Sequence, residues 1–227
     1  MVTNTTYKWM LYGFIVLSVG VLTVYYSRTC AHTTPGTVII LNGPSGSGKT
    51  SIQKSFQHLM MPKLWIKLGI DSLFDGPLPD ITLENLHYWQ SSNPIRWVET
   101  TTDATNAPVI TLFVGAEGQR VVHGMHSAIA AYAKQGCNVI VDYIAYNKEW
   151  VADLRNALKD IPAYWVKVNI SLEELEKREA ARGTSPKGHA RSHYDSVHWD
   201  INYDFEVNSG TQTAAEIAQM IKERLKL

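Results

Sequence analysis

Gly43-Pro44-Ser45-Gly46-Ser47-Gly48-Lys49-Thr50 meets the phosphate-loop pattern G-x-x-x-x-G-K-[ST] at every fixed position. Its flanks fit the same reading. Thr37 to Asn42 is short, apolar and β-branched, as a buried strand should be. Ser51 to Met60 places Ile52, Phe56, Leu59 and Met60 at helical spacing. Glycines in such a loop let consecutive N–H groups converge on one anion, and the following helix adds its positive end. Gly43 to Ser51 is therefore the expected nucleotide-binding stretch. Lys49 is expected to reach the β- and γ-phosphates, and the Thr50 hydroxyl to ligate Mg²⁺. The loop implies a nucleoside triphosphate, ATP by expectation, and leaves the phosphate acceptor open.

The chain has 227 residues, a length that suits one α/β domain plus an appendage. Lys+Arg and Asp+Glu both number 21, and this balance argues against a nucleic-acid binder. Cys30 and Cys137 stand in unrelated contexts and suggest neither a disulfide framework nor a metal site.

Residues 1–8 read as a tail. Trp9 to Tyr26 carries no charge and reaches the lower limit of length for a membrane-spanning helix, with aromatic rings at both ends. A cleaved signal peptide is the rival reading, but no clear small-x-small cleavage site follows. The expectation is a single-pass membrane anchor over 9–26 and a linker over 27–36. Lys8 and Arg28 flank the segment one on each side, so charge decides no orientation. The need for ATP places the remaining domain, residues 37–227, on the cytoplasmic face.

Leu64 to Ile70 is the second expected strand, running into Asp71-Ser72-Leu73. Ligands sit outside the carboxyl ends of the strands in a doubly wound sheet. Asp71 would face the γ-phosphate if this strand lay beside the first. There it could accept the proton of an attacking hydroxyl; as a turn aspartate it would do nothing chemical. Further on, Val139-Ile140-Val141-Asp142 ends an apolar strand at the height of the loop. Asp142 reads either as an acid holding Mg²⁺ or as a strand-end turn residue. Arg178 and Arg182 lie four apart on one helical face, and Gly183 to Gly188 breaks the helix before Arg191. That pattern reads as a lid over 182–192 whose guanidiniums close on the phosphates, or as ordinary solvated arginines.

The stretch Ile39 to Lys49, followed by Leu68-Gly69-Ile70-Asp71-Ser72-Leu73, resembles the chloramphenicol phosphotransferase family. Val139 to Asp142, Arg178 to Gly183, Val197-His198 and Tyr203-Asp204-Phe205-Glu206-Val207 extend the likeness from Thr37 to the C-terminus. The resemblance implies a P-loop kinase fold, an α/β three-layer sandwich around a mostly parallel sheet, and ATP-dependent O-phosphorylation of a small hydroxyl compound. It also implies that Asp71 is the general base. The chain departs from the family at Tyr143, where a second acid is common, and at Thr184 and Ser185, where an acid and an arginine usually follow the glycine. Lys187 or Arg191 could stand in for the missing cation.

Residues 75–115 interrupt the α/β alternation and read as an insertion covering the acceptor. Arg96 to Thr101 and Pro108 to Val114 could pair there as a hairpin. Tyr88, Trp89 and Trp97 could line an aromatic pocket. Glu117 to Lys134 is an expected helix, with Val121, Val122, Met125, Ile129 and Tyr132 inward. Asn147 to Leu158 is another, with Trp150, Leu154 and Leu158 inward. Ser171 and Thr213 open the last two helices with capping-box patterns. His189, His193 and His198 lack convincing metal spacing, and His198 reads as structural or acceptor-facing. The expected activity is transfer of phosphate from ATP to a chloramphenicol-like compound. Alternatives are a kinase of a sugar or nucleotide-sugar, toxin-like, and a membrane-bound ATP sensor without catalysis.

Overall fold

Strand β1 (Val38–Asn42) is buried at all five positions, because it runs through the middle of a parallel sheet with helices on both faces. The computed structural model describes residues 34–70, 78–100, 109–183 and 187–227. The chain divides after Thr34 into two units, and the account below concerns the second, Pro35–Leu227. The segment 9–26, expected as a membrane anchor, lies outside the described residues, as does Asp71. Among the described residues no helix is long and apolar enough to cross a membrane.

The main sheet adds β2 (Trp65–Gly69), β5 (Asn138–Tyr143), β6 (Ala163–Asn169) and β7 (Phe205–Asn208). Their order is β2-β5-β1-β6-β7 and every pairing is parallel. The condition under which Asp71 would face the γ-phosphate, β2 beside β1, is not met. β2 does not lie beside β1, because β5 is inserted between them.

Period-two alternation sorts the side chains to two cores. Val38 and Ile40 of β1, with Val139, Val141 and Tyr143 of β5, face helices α3 (Ala116–Lys134) and α4 (Lys148–Ala157). Ile39 and Leu41, with Ile140, face α1 (Lys49–Met60) and α7 (Ala214–Leu225). Asp142 falls on the α1 side and Tyr143 on the other. A residue at 143 therefore cannot serve the loop as a second acid.

The helix starts obey local rules. Asn147 caps α4 by accepting from the Trp150 N–H, and Ser171 caps α5 (Leu172–Arg182) by accepting from Glu174. Thr213 and Glu216 form the full reciprocal capping box of α7. Trp150, Leu154 and Leu158 are buried as expected. Tyr132 is not, being 47 % exposed. At 100° per residue it stands about 90° round from the centre of the α3 stripe. Smaller or polar residues, Gly118, His126, Ala130 and Ala133, fill that stripe with Val122, Met125 and Ile129.

The insertion contributes α2 (Leu86–Trp89) and a separate antiparallel pair, β3 (Ile95–Thr100) with β4 (Val109–Val114). Ile95 pairs with Val114 and Arg96 with Phe113, and the Arg96 guanidinium lies 4.3 Å from the Phe113 ring centre. A short helix, α6 (His189–Ser192), packs on α5 and β4, and a turn of 3₁₀ helix follows over Ser196–His198.

Candidate active site

The glycine loop joins β1 to α1 at the carboxyl edge of the sheet, where a parallel sheet presents its ligands. Gly48 precedes the first residue of α1 with φ 84°, a left-handed conformation that strains any residue with a Cβ. It turns the chain so that Lys49 opens the helix.

Lys49 is buried, 4 % exposed. Its Nζ donates to the Pro44 carbonyl at 2.8 Å and lies 3.4 Å from both Ser47 Oγ and Asp142 Oδ1. Thr50 Oγ1 donates to the other Asp142 oxygen at 2.6 Å. One carboxylate from β5 thus engages the cation and the hydroxyl that open α1. Thr50 and Asp142 supply hard oxygen donors, the type Mg²⁺ takes.

A cleft of about 340 Å³ opens over this group. It is lined by Ser45, Gly46, Gly48, Lys49, Thr50, Ser51, Asp142, Arg178 and Arg182, with Ile144. The other loop residues support it from behind. Gly43 donates to the Tyr143 carbonyl at 3.4 Å, Pro44 and Ser47 hold Lys49, and Ser47 is fully buried. Arg178 is anchored from two sides, by Glu174 at 3.0 Å and by the Ser209 carbonyl at 2.9 Å. Arg191 is placed differently. Its Nε pairs with Glu176 Oε1 at 2.6 Å, and it does not line the cleft.

β2 ends against the same group. Its Gly69 is the register partner of Asp142, and the Ile70 N–H donates to the Asp142 carbonyl at 3.1 Å. A Cβ at Gly69 would lie 3.0 Å from Asp142 Cβ, tighter than ordinary packing allows.

Glu179 and Tyr146 escaped the sequence reading, which named His189 and His193 without giving them a role. His193 Nε2 accepts the Ser45 N–H at 3.0 Å, so the loop leans on an imidazole 148 residues away. That ring stays neutral because burial, followed by the charges of His189 and Lys49, holds its pKa well below the usual value. Glu179 accepts the N–H groups of Gly188 and Ala190, both at 2.8 Å, and so fastens the start of α6 to α5. Tyr146 Oη meets His189 Nε2 at 2.8 Å. Burial, then Lys49 and Arg182, lower the His189 pKa to about 4. The four-residue spacing of His189 and His193 is the only local signal that could have paired them. His198 takes the structural place: its Nδ1 meets Tyr203 Oη at 2.7 Å, and that oxygen accepts from Asn42 at 2.6 Å.

A second cleft, of about 540 Å³, lies within the insertion between Leu78 and Trp97. Trp89, Ile95, Arg96 and Trp97 are among its walls, as expected for the two tryptophans. Tyr88 is not among them and instead bonds Glu117 at 2.5 Å. The Trp97 ring sits 4.1 Å from the His189 ring, and His189 feels the Lys49 charge. Trp97 thus stands where the insertion cleft meets the phosphate-loop side.

The model of a family described as "Chloramphenicol phosphotransferase-like protein" matches residues 36–226. Two Mycobacterium tuberculosis proteins, each named "Putative O-phosphotransferase", are 31% identical over 194 residues, covering 83% of this chain and 81% of theirs. Among solved structures, the M. tuberculosis APS kinase in complex with AMPPNP and APS aligns with a TM-score of 0.57 at 19% identity, covering 86% of this chain and 99% of that one. A sugar kinase from Janibacter sp. HTCC2649 aligns with a TM-score of 0.55 at 16% identity, covering 85% and 95%. These two structural likenesses establish the fold.

Proposed function

The chain belongs to the chloramphenicol phosphotransferase-like family and is a kinase-type phosphotransferase, and from that premise we propose that it moves the γ-phosphoryl group of ATP to a hydroxyl of a small chloramphenicol-like molecule. The observation that carries this reading is that Lys49 and Thr50, at the head of α1, both engage the Asp142 carboxylate. It is the set of groups that gripping and polarising a triphosphate requires.

In this mechanism the loop amides cradle the phosphates and Lys49 leaves the Pro44 carbonyl for the γ-phosphate. Thr50 and Asp142 would hold Mg²⁺, whose charge would offset that developing on the phosphates. Asp71 takes the acceptor proton as its oxygen attacks phosphorus, and ADP leaves. Arg178 and Arg182, already on the cleft, stabilise the charge on the moving group. The acceptor binds in the insertion cleft against Trp89 and Trp97. Arg191, held by Glu176, takes no part in this scheme.

The test is acceptor-dependent ADP release by the full chain across a panel of hydroxyl compounds: chloramphenicol-like amides, sugars and nucleotide-sugars. Losing one well-placed cation typically costs ~3 kcal/mol, roughly a hundredfold in rate. Lys49→Ala is expected to lose at least that much. Asp71→Asn is expected to abolish transfer while ATP still binds. Nucleotide binding with no acceptor-stimulated release would favour an ATP sensor. Full activity in Asp71→Asn would remove the base assignment. We place residues 9–26 as a single-pass anchor with the catalytic domain on the cytoplasmic face. Protease digestion of the domain from outside intact cells would reverse that orientation.

A further inference from the structure

Away from the phosphate loop, on the opposite face of β5, three side chains converge between α3 and α4. His123 and His126 stand one turn apart on α3, and Asp153 projects from α4. Both imidazoles aim Nδ1 at the same carboxylate oxygen. His126 Nδ1 lies 2.6 Å and His123 Nδ1 2.8 Å from Asp153 Oδ2. The three ligand atoms lie within 4.8 Å of one another.

We propose that His123, His126 and Asp153 form a binding site for one divalent ion of the Zn²⁺ class, separate from the Mg²⁺ of catalysis. The donor set is two imidazole nitrogens and one carboxylate oxygen, which suits Zn²⁺ and is poor for Mg²⁺. Tetrahedral ligands on Zn²⁺ stand roughly 3.3 Å apart, given bond lengths near 2.0–2.1 Å. To admit the ion, the carboxylate would draw back from both rings and the two nitrogens, within 4.8 Å of one another, would close toward that spacing.

The surroundings match those of a built site. His126 is 1 % exposed, and its other nitrogen, Nε2, lies 3.0 Å from Tyr143 Oη. With Nδ1 on the metal, Nε2–H donates to that oxygen. This is the outer contact that fixes the tautomer and aim of a metal-bound histidine. Among the described residues, His126 is the hydrogen-bond partner of Tyr143 Oη. His123 is 54 % exposed and Asp153 30 %, so the ion has an entry path and water can complete its coordination.

The bound ion would clamp α3 to α4 and, through Tyr143, brace the strand that carries Asp142. A purely structural hydrogen-bonded triad makes no such demand for metal, and the two are separable.

The experiment uses the full chain, stripped with chelator and then saturated with Mg²⁺ and ATP so that the loop is occupied. Co²⁺, as the spectroscopic probe, is expected to bind one equivalent with the visible absorption of a tetrahedral nitrogen–oxygen site, and Zn²⁺ to displace it. His123→Ala, at a half-exposed position that folding does not need, is expected to weaken Co²⁺ binding at least tenfold, as is Asp153→Asn. Asp142→Asn, on the other face of the sheet, is expected to keep the signal. Zn²⁺ is expected to raise the unfolding temperature of the parent chain and not that of folded His123→Ala. An absent Co²⁺ spectrum, or one of equal strength in His123→Ala, would overturn the proposal. Neither result bears on ATP-dependent transfer, which is read in a separate assay.

Discussion

Asn42 ends β1 and is fully buried, yet every polar atom it carries is matched. Its amide nitrogen donates to the Val197 carbonyl at 2.8 Å and to Tyr203 Oη at 2.6 Å, and its oxygen accepts the Ala145 N–H at 3.0 Å. One side chain thus ties the strand before the loop to the segment after β5 and to the segment before β7. Asn42→Leu keeps the branched shape and strands the Val197 carbonyl and the Ala145 N–H, while Tyr203 Oη keeps His198. Each orphaned buried group costs about 1–3 kcal/mol, so the loss should total roughly 2 kcal/mol or more. Denaturant unfolding at neutral pH measures it. Thr50 offers a second residue-level test. Thr50→Val removes the hydroxyl facing Asp142 and leaves the helix start intact. The Mg²⁺ concentration for half-maximal turnover should rise about tenfold, a loss of roughly 1.4 kcal/mol of binding. An unchanged Mg²⁺ titration would exclude Thr50 as a ligand.

At the scale of elements, α5 and α6 act as a pair because Glu179 bonds across to the first turn of α6. Four residues cannot hold a helix by themselves, since nucleation is unfavourable. The two charge-assisted bonds from the Gly188 and Ala190 amides supply what is missing. Glu179→Ala should release α6, and with it His193, which directly follows α6 and bonds the loop. Tryptic cleavage after exposed Lys187 should quicken at least tenfold, and the KM for ATP should rise with it. Equal cleavage rates in parent and variant would show that α6 is held by packing instead. The hairpin is a contrasting element. β3 and β4 pair as the sequence suggests, but they stand apart from the main sheet and form their own two-stranded ribbon.

For the molecule as a whole, the buried histidines set its response to acid. Burial, with nearby cations, lowers His189 and His198 to about 4, and His193 is also lowered. The unfolded chain binds protons at these sites from pH 6.5 downward while the folded chain refuses them. Stability is therefore full above about pH 6.5 and falls as pH drops toward 4. Each fully refused proton contributes a slope of about 1.4 kcal/mol per pH unit. Urea midpoints measured from pH 7 to 4 should decline across that window. His198→Gln should decline less steeply, because one of the refused protons is gone. A flat profile between pH 6.5 and 4.5 would show that these rings titrate normally.

The nucleotide loop, the helix caps at Ser171 and Thr213, and the apolar runs of β1, β5 and β6 were readable from residues near one another in the chain. Their causes are local: glycine backbone freedom, side chains satisfying the first amides of a helix, and two-residue alternation. Tyr132 was misread because an apolar stripe of fixed period tolerates several rotations, and packing against α4 and β5 chooses one. The order of strands was not readable, because any apolar strand can pair with any other. Only assembly put β5 between β1 and β2, bringing Asp142 to Thr50 and the end of β2 to Asp142. The same holds for His193 under Ser45 and for Asp153 between His123 and His126. In these contacts the partners are brought together by the packing of whole elements, and no periodicity along the chain encodes that packing.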